Sequence, residues 1–254
     1  HRVDRRQRQM CIRDRQITCG DGDATSLYLS TQNAKIQPVA DSTTNTVIYD
    51  KDGNALVTVD SSNDLVKLGV GQHTANTLFK QFGMFDFTPV AGNHYQLITT
   101  PIMYESAVWS DAVNSTVWGG NGTNPSTSLT ISSNSLNFIP CVWLLQQNIA
   151  IDEVQYIVSA EGSTTVNIHV MSYSMVTGSG STAGDLTSGA VLAQTGSADD
   201  SLSPVTVGDD RASNGTLTIN TANVDDGKAV VVFFENVGST HDVTCQVNLK
   251  YHLR

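Results

Sequence analysis

From Val243 to Tyr251 the chain alternates without a break. Val243, Cys245, Val247, Leu249 and Tyr251 fall on one side, and Thr244, Gln246, Asn248 and Lys250 on the other. A period of two predicts a β-strand with one buried face. Residues 229–234 (AVVVFF) are continuously apolar instead, which predicts a central strand covered on both faces. Further strands are predicted over 138–145, 151–160, 164–173, 190–195, 204–207, 216–220 and 229–236, separated by Gly, Asn, Asp and Ser clusters. About eight strands in about 120 residues predict an antiparallel β-sandwich over 136–254, jelly-roll-like in plan.

Upstream, the pattern is sparser. In 16–71, Val47-Ile48-Tyr49 leads through Asp52-Gly53-Asn54 into residues 55–60, and a second turn at 61–64 leads into 65–69. Asp-Gly supplies the positive φ of a tight hairpin turn. These short strands predict a β-hairpin meander too thin to bury a core alone, hence an attachment or oligomerisation segment. Residues 72–135 predict a β-rich middle segment. Residues 78–87 concentrate aromatics, with Met84, Asp86 and Thr88 expected opposite Phe85 and Phe87. A strand is expected over 94–100, a short helix or strand over 104–117, and a loop over 119–125.

The composition fits an all-β chain: β-branched and small polar residues abound, and Lys, Arg and Glu are scarce. No run of 18 or more apolar residues occurs, so no membrane span is expected. The net charge of −10 understates the acidity. Residues 5–14 back-translate into CGT CGG CAG CGT CAG ATG TGT ATA AGA GAC. That string resembles the read-one adapter of a transposase-based sequencing library. Residues 1–15 are therefore expected to be an adapter-derived artefact, disordered or an incidental helix, and the native N-terminus is expected to be missing. The segment holds six arginines and two aspartates, so the rest carries eight basic and 22 acidic residues, a net of −14. A surface this acidic repels phosphate backbones, and nucleic acid is not expected as a partner.

The span 137–251 resembles a module at the C-terminal ends of marine bacteriophage virion proteins. The matching features are Asn137-Phe-Ile-Pro140, the strand–turn–strand Val154-Gln-Tyr-Ile-Val-Ser to Gly162-Ser-Thr-Thr-Val-Asn-Ile-His-Val170, and Gly215-Thr-Leu-Thr-Ile-Asn220. Lys228-Ala-Val-Val-Val-Phe-Phe-Glu235 and Asp242-Val-Thr-Cys-Gln-Val-Asn-Leu-Lys-Tyr251 follow. Ile139-Pro140-Cys141 departs from the Ala-Pro usual there. The hairpins of 16–71 are similar to those of trimeric phage fibres. The resemblance implies a non-enzymatic virion structural protein, a fibre or appendage of the extracellular particle. It would be a homotrimer contacting other virion proteins and attaching to a host surface, with a glycan as a candidate ligand, through multivalent contacts. The alternatives are a secreted bacterial carbohydrate-binding or adhesin module and a capsid decoration protein.

Candidate chemistry is thin. No G-x-S-x-G, P-loop, Rossmann or H-E-x-x-H pattern occurs, and no catalytic residue is expected. Asp209, Asp210 and Asn214 form a candidate Ca2+ loop, since Ca2+ takes six to eight oxygens; an Asp doublet is also ordinary turn chemistry. Asp50, Asp52 and Asn54 have D-x-D-x-N spacing, which a hairpin turn explains equally well. Trp109 and Trp118, with Tyr104, are candidates for a sugar-stacking face, the alternative being interface or core packing. His169, between Ile168 and Val170, is expected on a polar strand face. Cys141 and Cys245 are expected to be buried free thiols.

Overall fold

A computed structural model describes residues 15–18, 24–29, 34–71, 73–75, 77–99, 123–130, 141–196, 203–238 and 241–254. Among the described residues the protein is all-β, with 58% of them in strands, no α-helix, and several antiparallel sheets. Two compact units divide the chain, His1–Asn76 and Thr77–Arg254. Residues 1–14 of the expected artefact lie outside the described residues, and Arg15 opens the first strand.

In the first unit, β1 (Arg15–Thr18), β2 (Ala24–Leu29) and β3 (Ala34–Ile36) form a three-stranded sheet. A separate four-stranded meander contains β4 (Thr46–Tyr49), β5 (Ala55–Asp60), β6 (Leu65–Leu68) and β7 (His73–Thr74). The β4–β5 turn is locked by Asp50. Its carboxylate accepts from the backbone N–H of Asp52 (2.9 Å) and Asn54 (2.8 Å), and from Asn54 Nδ2 (2.9 Å). Those bonds hold the Asp50 carboxyl below the usual range, the Asn54 side chain acting most strongly. Gly53 supplies the positive φ of 84°. Asp50 thus serves the hairpin turn.

The second unit contains β8 (Thr77–Phe87), β9 (His94–Gln96), β10 (Trp143–Leu144), β11 (Ile149–Ala160), β12 (Thr164–Met175) and β13 (Leu186–Gln194). It continues with β14 (Val205–Val207), β15 (Arg211–Thr216), β16 (Thr218–Ile219), β17 (Asn223–Val224), β18 (Lys228–Asn236) and β19 (Val243–Leu253). The front sheet runs β15-β11-β19-β8, with β17 also on β11. The back sheet runs β10-β18-β12-β13-β16, with β14 on β12 and β9 on β18. β8 and β9, within the segment expected between sandwich and meander, are therefore strands of the two sandwich sheets.

The two longest ladders turn one common corner. β11 pairs with β19 in the front sheet, ending at Ala160 opposite Val243, and β12 pairs with β18 in the back sheet, starting at Val166 opposite Asn236. Across the corner, the Glu161 N–H donates to the Asp242 carbonyl (3.0 Å) and the Val237 N–H to that of Thr165 (2.8 Å). Two paired arms folded from one sheet to the other are the jelly-roll manner of closing a sandwich. At Gly162 in this corner, a Cβ would sit 2.6 Å from the ring of the exposed His241, which would have to swing aside.

The core lies between the sheets. Val154 and Val158 of β11 and Cys245, Val247 and Leu249 of β19 meet Ile168 and Val170 of β12 and Val230, Val232 and Phe234 of β18. Each such side chain contributes roughly 1.5–3 kcal/mol by leaving water. The back sheet is covered on its other face too: Met171, Tyr173, Val231 and Phe233 pack with Leu129 and Cys141. That second cover explains why β18 is apolar at successive positions while β19 alternates. Cys141 and Cys245 are free and buried in different clusters, and burial pushes the Cys245 thiol up to about 12.

One alternation departs from expectation. Phe85 is 75% exposed and Phe87 only 7%. Met84 pairs with Cys245 and Phe87 with Val243, so three steps on β8 match two on β19. Asp86, at φ 48°, is part of this bulge, which turns Phe87 inward against Tyr95.

Candidate functional site

Two places gather chemistry-bearing side chains. The first lies at the sandwich corner. The β8 bulge presents Asp86, the β11–β12 turn presents Glu161, and the strand entering β19 presents Asp242. Their carboxylate oxygens lie within 4.8 Å of one another. They border an open cleft of about 410 Å3, whose wall includes Asp210, Arg211 and Thr244. The Asp86 N–H donates to Thr244 Oγ1 at 3.1 Å, and Thr88 Oγ1 donates to Asp242 Oδ1. Carboxylates this close repel one another unless a cation or protons intervene. A hard cation with oxygen ligands is the chemistry they suit.

The second place is a buried polar band on the outer face of the back sheet. Backbone pairing sets His94 of β9 opposite Glu235 of β18, and Glu235 opposite Asn167 of β12. In the next row, Gln96 faces Phe233, Phe233 faces His169, and His169 faces Gln194. All these polar side chains are buried. Asn167 Nδ2 donates to Glu235 Oε2 (2.8 Å), which lies 3.7 Å from His94 Nε2; that nitrogen is also 3.0 Å from the Thr123 carbonyl. The His94 and His169 rings are 5.5 Å apart between centroids. Burial first, then the neighbouring His94, push the His169 ring down to about 3. The ring is therefore neutral at ordinary pH. Thus His169 corrects the sequence expectation: it lies on the polar side of β12, but that side is covered.

The sequence candidates fare unevenly. Asp210 reaches the corner cleft, as the exposed left-handed residue (φ 50°) of the turn into β15. Asp209 and Asn214 are also exposed, and neither borders the cleft; Asn214 lies on β15 opposite Ile157. Tyr104, Trp109 and Trp118 lie outside the described residues. Sequence reasoning missed Asp86, Glu161 and Asp242, and the His94–Glu235 pairing. Each is a single residue with no motif, brought to its neighbours by strand register alone.

No protein-family model and no curated protein matches the chain. Among solved structures, it is similar to a selenomethionine-labelled α-amino acid ester hydrolase: 12% identity, TM-score 0.26, covering 69% of this chain and 32% of that one. It is also similar to an aminopeptidase from a marine sediment archaeon, Thaumarchaeota archaeon: 8% identity, TM-score 0.28, covering 78% and 40%. A T=1 particle protein derived from infectious bursal virus gives 10% identity and TM-score 0.12, covering 94% and 70%. The chain thus spans about a third to two fifths of the two enzymes' length. Likeness this slight carries no argument about activity. No helix among the described residues is long and apolar enough to cross a membrane.

Proposed function

We propose that this chain is a non-enzymatic structural protein of a phage virion, a fibre or appendage component that self-associates as a trimer and attaches to a host surface. The observation that carries the reading is a contiguous, partly exposed apolar face of the meander. Register places Ile48 opposite Val57 and Val57 opposite Leu68, with Val59 opposite Val66 beside them. All five side chains project to the same side. Ile48 is 55% exposed, Leu68 44% and Val66 41%. The other side is mixed: Val47, Leu56 and Leu65 lie there with Thr58, Lys67 and the buried Asp60, to which Lys67 donates at 2.8 Å. A thin sheet with a contiguous apolar face gains stability by covering it, and copies of the same sheet supply the cover. The layout resemblance of residues 137–251 to virion modules supports the same reading.

In this reading the meander holds three chains together and the sandwich presents three identical surfaces. Each contact is weak, and linkage multiplies them through effective concentration. The test compares retention on bacterial cell envelopes of the full chain and of Val57→Lys/Leu68→Lys, which places charge on the meander face. Retention by the native chain with a loss of roughly 100-fold or more in the variant is expected. A variant that binds as tightly as the native chain overturns the reading.

A further inference from the structure

The outer face of the front sheet carries several amide side chains in register. Register lays Gln81, Asn248, Gln155 and Thr216 in one row across β8, β19, β11 and β15. The neighbouring row holds Gln246, Ile157 and Asn214. Adjacent strands stand about 4.8 Å apart, so Gln81, Asn248 and Gln155 form a continuous amide row, with Gln246 and Asn214 on either side of Ile157 in the next. Their opposite numbers along β11 and β19, such as Val154, Val158, Val247 and Leu249, point into the core. The rigid sandwich beneath therefore fixes where the amides project. Two bonds align them further: Gln246 Nε2 donates to Asn248 Oδ1 (3.3 Å) and Gln155 Nε2 to Glu153 Oε1 (2.8 Å). Phe79 and Phe85, 71% and 75% exposed, flank the ladder along β8.

Charge makes the face selective. The chain carries a net −10, yet the charged residues in this ladder are Glu153 and Lys250, opposite each other in register. The amide rows themselves carry no charge, and the acidic corner begins one row further on, beside Ser159 and Thr244. Amides offer both donors and acceptors, and exposed rings offer apolar planes. The complement of such a surface is a neutral, polyhydroxylated chain: hydroxyls that both donate and accept, and C–H faces that stack on rings. A nucleic acid or sulfated polymer meets an acidic molecule with no basic strip on this face.

We infer that the outer face of the front sheet binds a neutral polysaccharide lying across the Gln81–Asn248–Gln155–Thr216 row, with Phe79 and Phe85 as stacking platforms. This rests on the attachment reading above and supplies its ligand class. The corner carboxylates and the buried histidine band take no part in it.

The experiment is affinity electrophoresis of the full chain through gels containing neutral polysaccharides (a mixed-linkage β-glucan, a mannan, a galactan) or anionic ones (alginate, heparin). Retardation by at least one neutral polymer and by neither anionic one is expected. Gln155→Ala/Asn248→Ala and, separately, Phe79→Ala should each weaken it about tenfold or more. These side chains lie on the solvent side, so melting temperature serves as the folding control, and Asp226→Asn, exposed in the turn before β18, as a variant that keeps native retardation. No retardation by any neutral polymer, or retardation unchanged in both face variants, overturns the inference. The two proposals fail separately. A trimer that holds cell envelopes through residues other than this face sinks only the inference. A monomer retarded through this face sinks only the fibre reading.

Discussion

The meander of β4–β7 and the back sheet of the sandwich use the same side chains to opposite ends. Both are built from valine, leucine and isoleucine on antiparallel strands with tight turns. In the back sheet, Val230, Val232 and Phe234 face one core while Val231 and Phe233 face another, and all are fully buried. In the meander, Ile48, Val66 and Leu68 face one side and remain roughly half exposed. The difference is the number of covers. A sheet with two covers needs nothing further to be stable, whereas a sheet with one apolar face leaves free energy ungained until another surface arrives. Apolar strands thus announce burial, and register decides whether this chain itself provides it.

The largest effect should come from breaking the doubly covered sheet. Phe234→Ala leaves a hole at a site with no exposure and should cost about 3–5 kcal/mol, read as a fall in the urea midpoint. Leu68→Ala, in a dissociated chain, should cost under about 1 kcal/mol. Equal costs would erase the contrast between the two regions.

Next in size is an acid sensitivity confined to the back sheet. Burial keeps His169 neutral when folded, where it gains a proton only near about 3; unfolded, it does so near 6.5. Between those values the unfolded chain binds the extra proton. Stability is full above about pH 6.5 and falls by up to about 1.4 kcal/mol per unit as pH drops. His94 and Glu235 lie in the same buried band. Urea midpoints at pH 4 and 7 should differ more for the native chain than for His169→Met. Equal pH dependence would remove His169 as the cause.

Strand content, the alternation of β19 and the continuous apolarity of β18 were readable from the sequence, because each depends on local periodicity. Partner choice was not. His94 and His169 each sat in an expected strand, yet nothing in either segment says that β18 lies between them. The corner cleft has the same origin. Asp86 reaches it through a one-residue bulge, and a bulge without a glycine leaves little trace in the sequence. Asp210 was singled out as half of a doublet, while the carboxylates it lies near came from residues far from it in sequence, Asp86 and Glu161 before it and Asp242 after it. Asn214, chosen with Asp210, lies on β15 of the front sheet, where pairing with Ile157 sets it.

The smallest effect is expected at the corner. In calcium-free buffer, Asp86→Asn relieves repulsion with Glu161 and Asp242 and should stabilise by about 0.5 kcal/mol, a small upward shift in melting temperature. Millimolar Ca2+ that raises the melting temperature of the native chain but not of the variant would mark the corner as a cation site. No difference between them would leave the three carboxylates as a solvated rim.

The contrast between covered and uncovered sheets rests most directly on one quantity, the mass of the full chain in solution by light scattering across a hundredfold range of concentration. Self-association through the meander predicts three times 27.2 kDa, falling to a single chain in Val57→Lys/Leu68→Lys while the sandwich still melts as before. A native chain that remains at 27.2 kDa throughout would contradict the account.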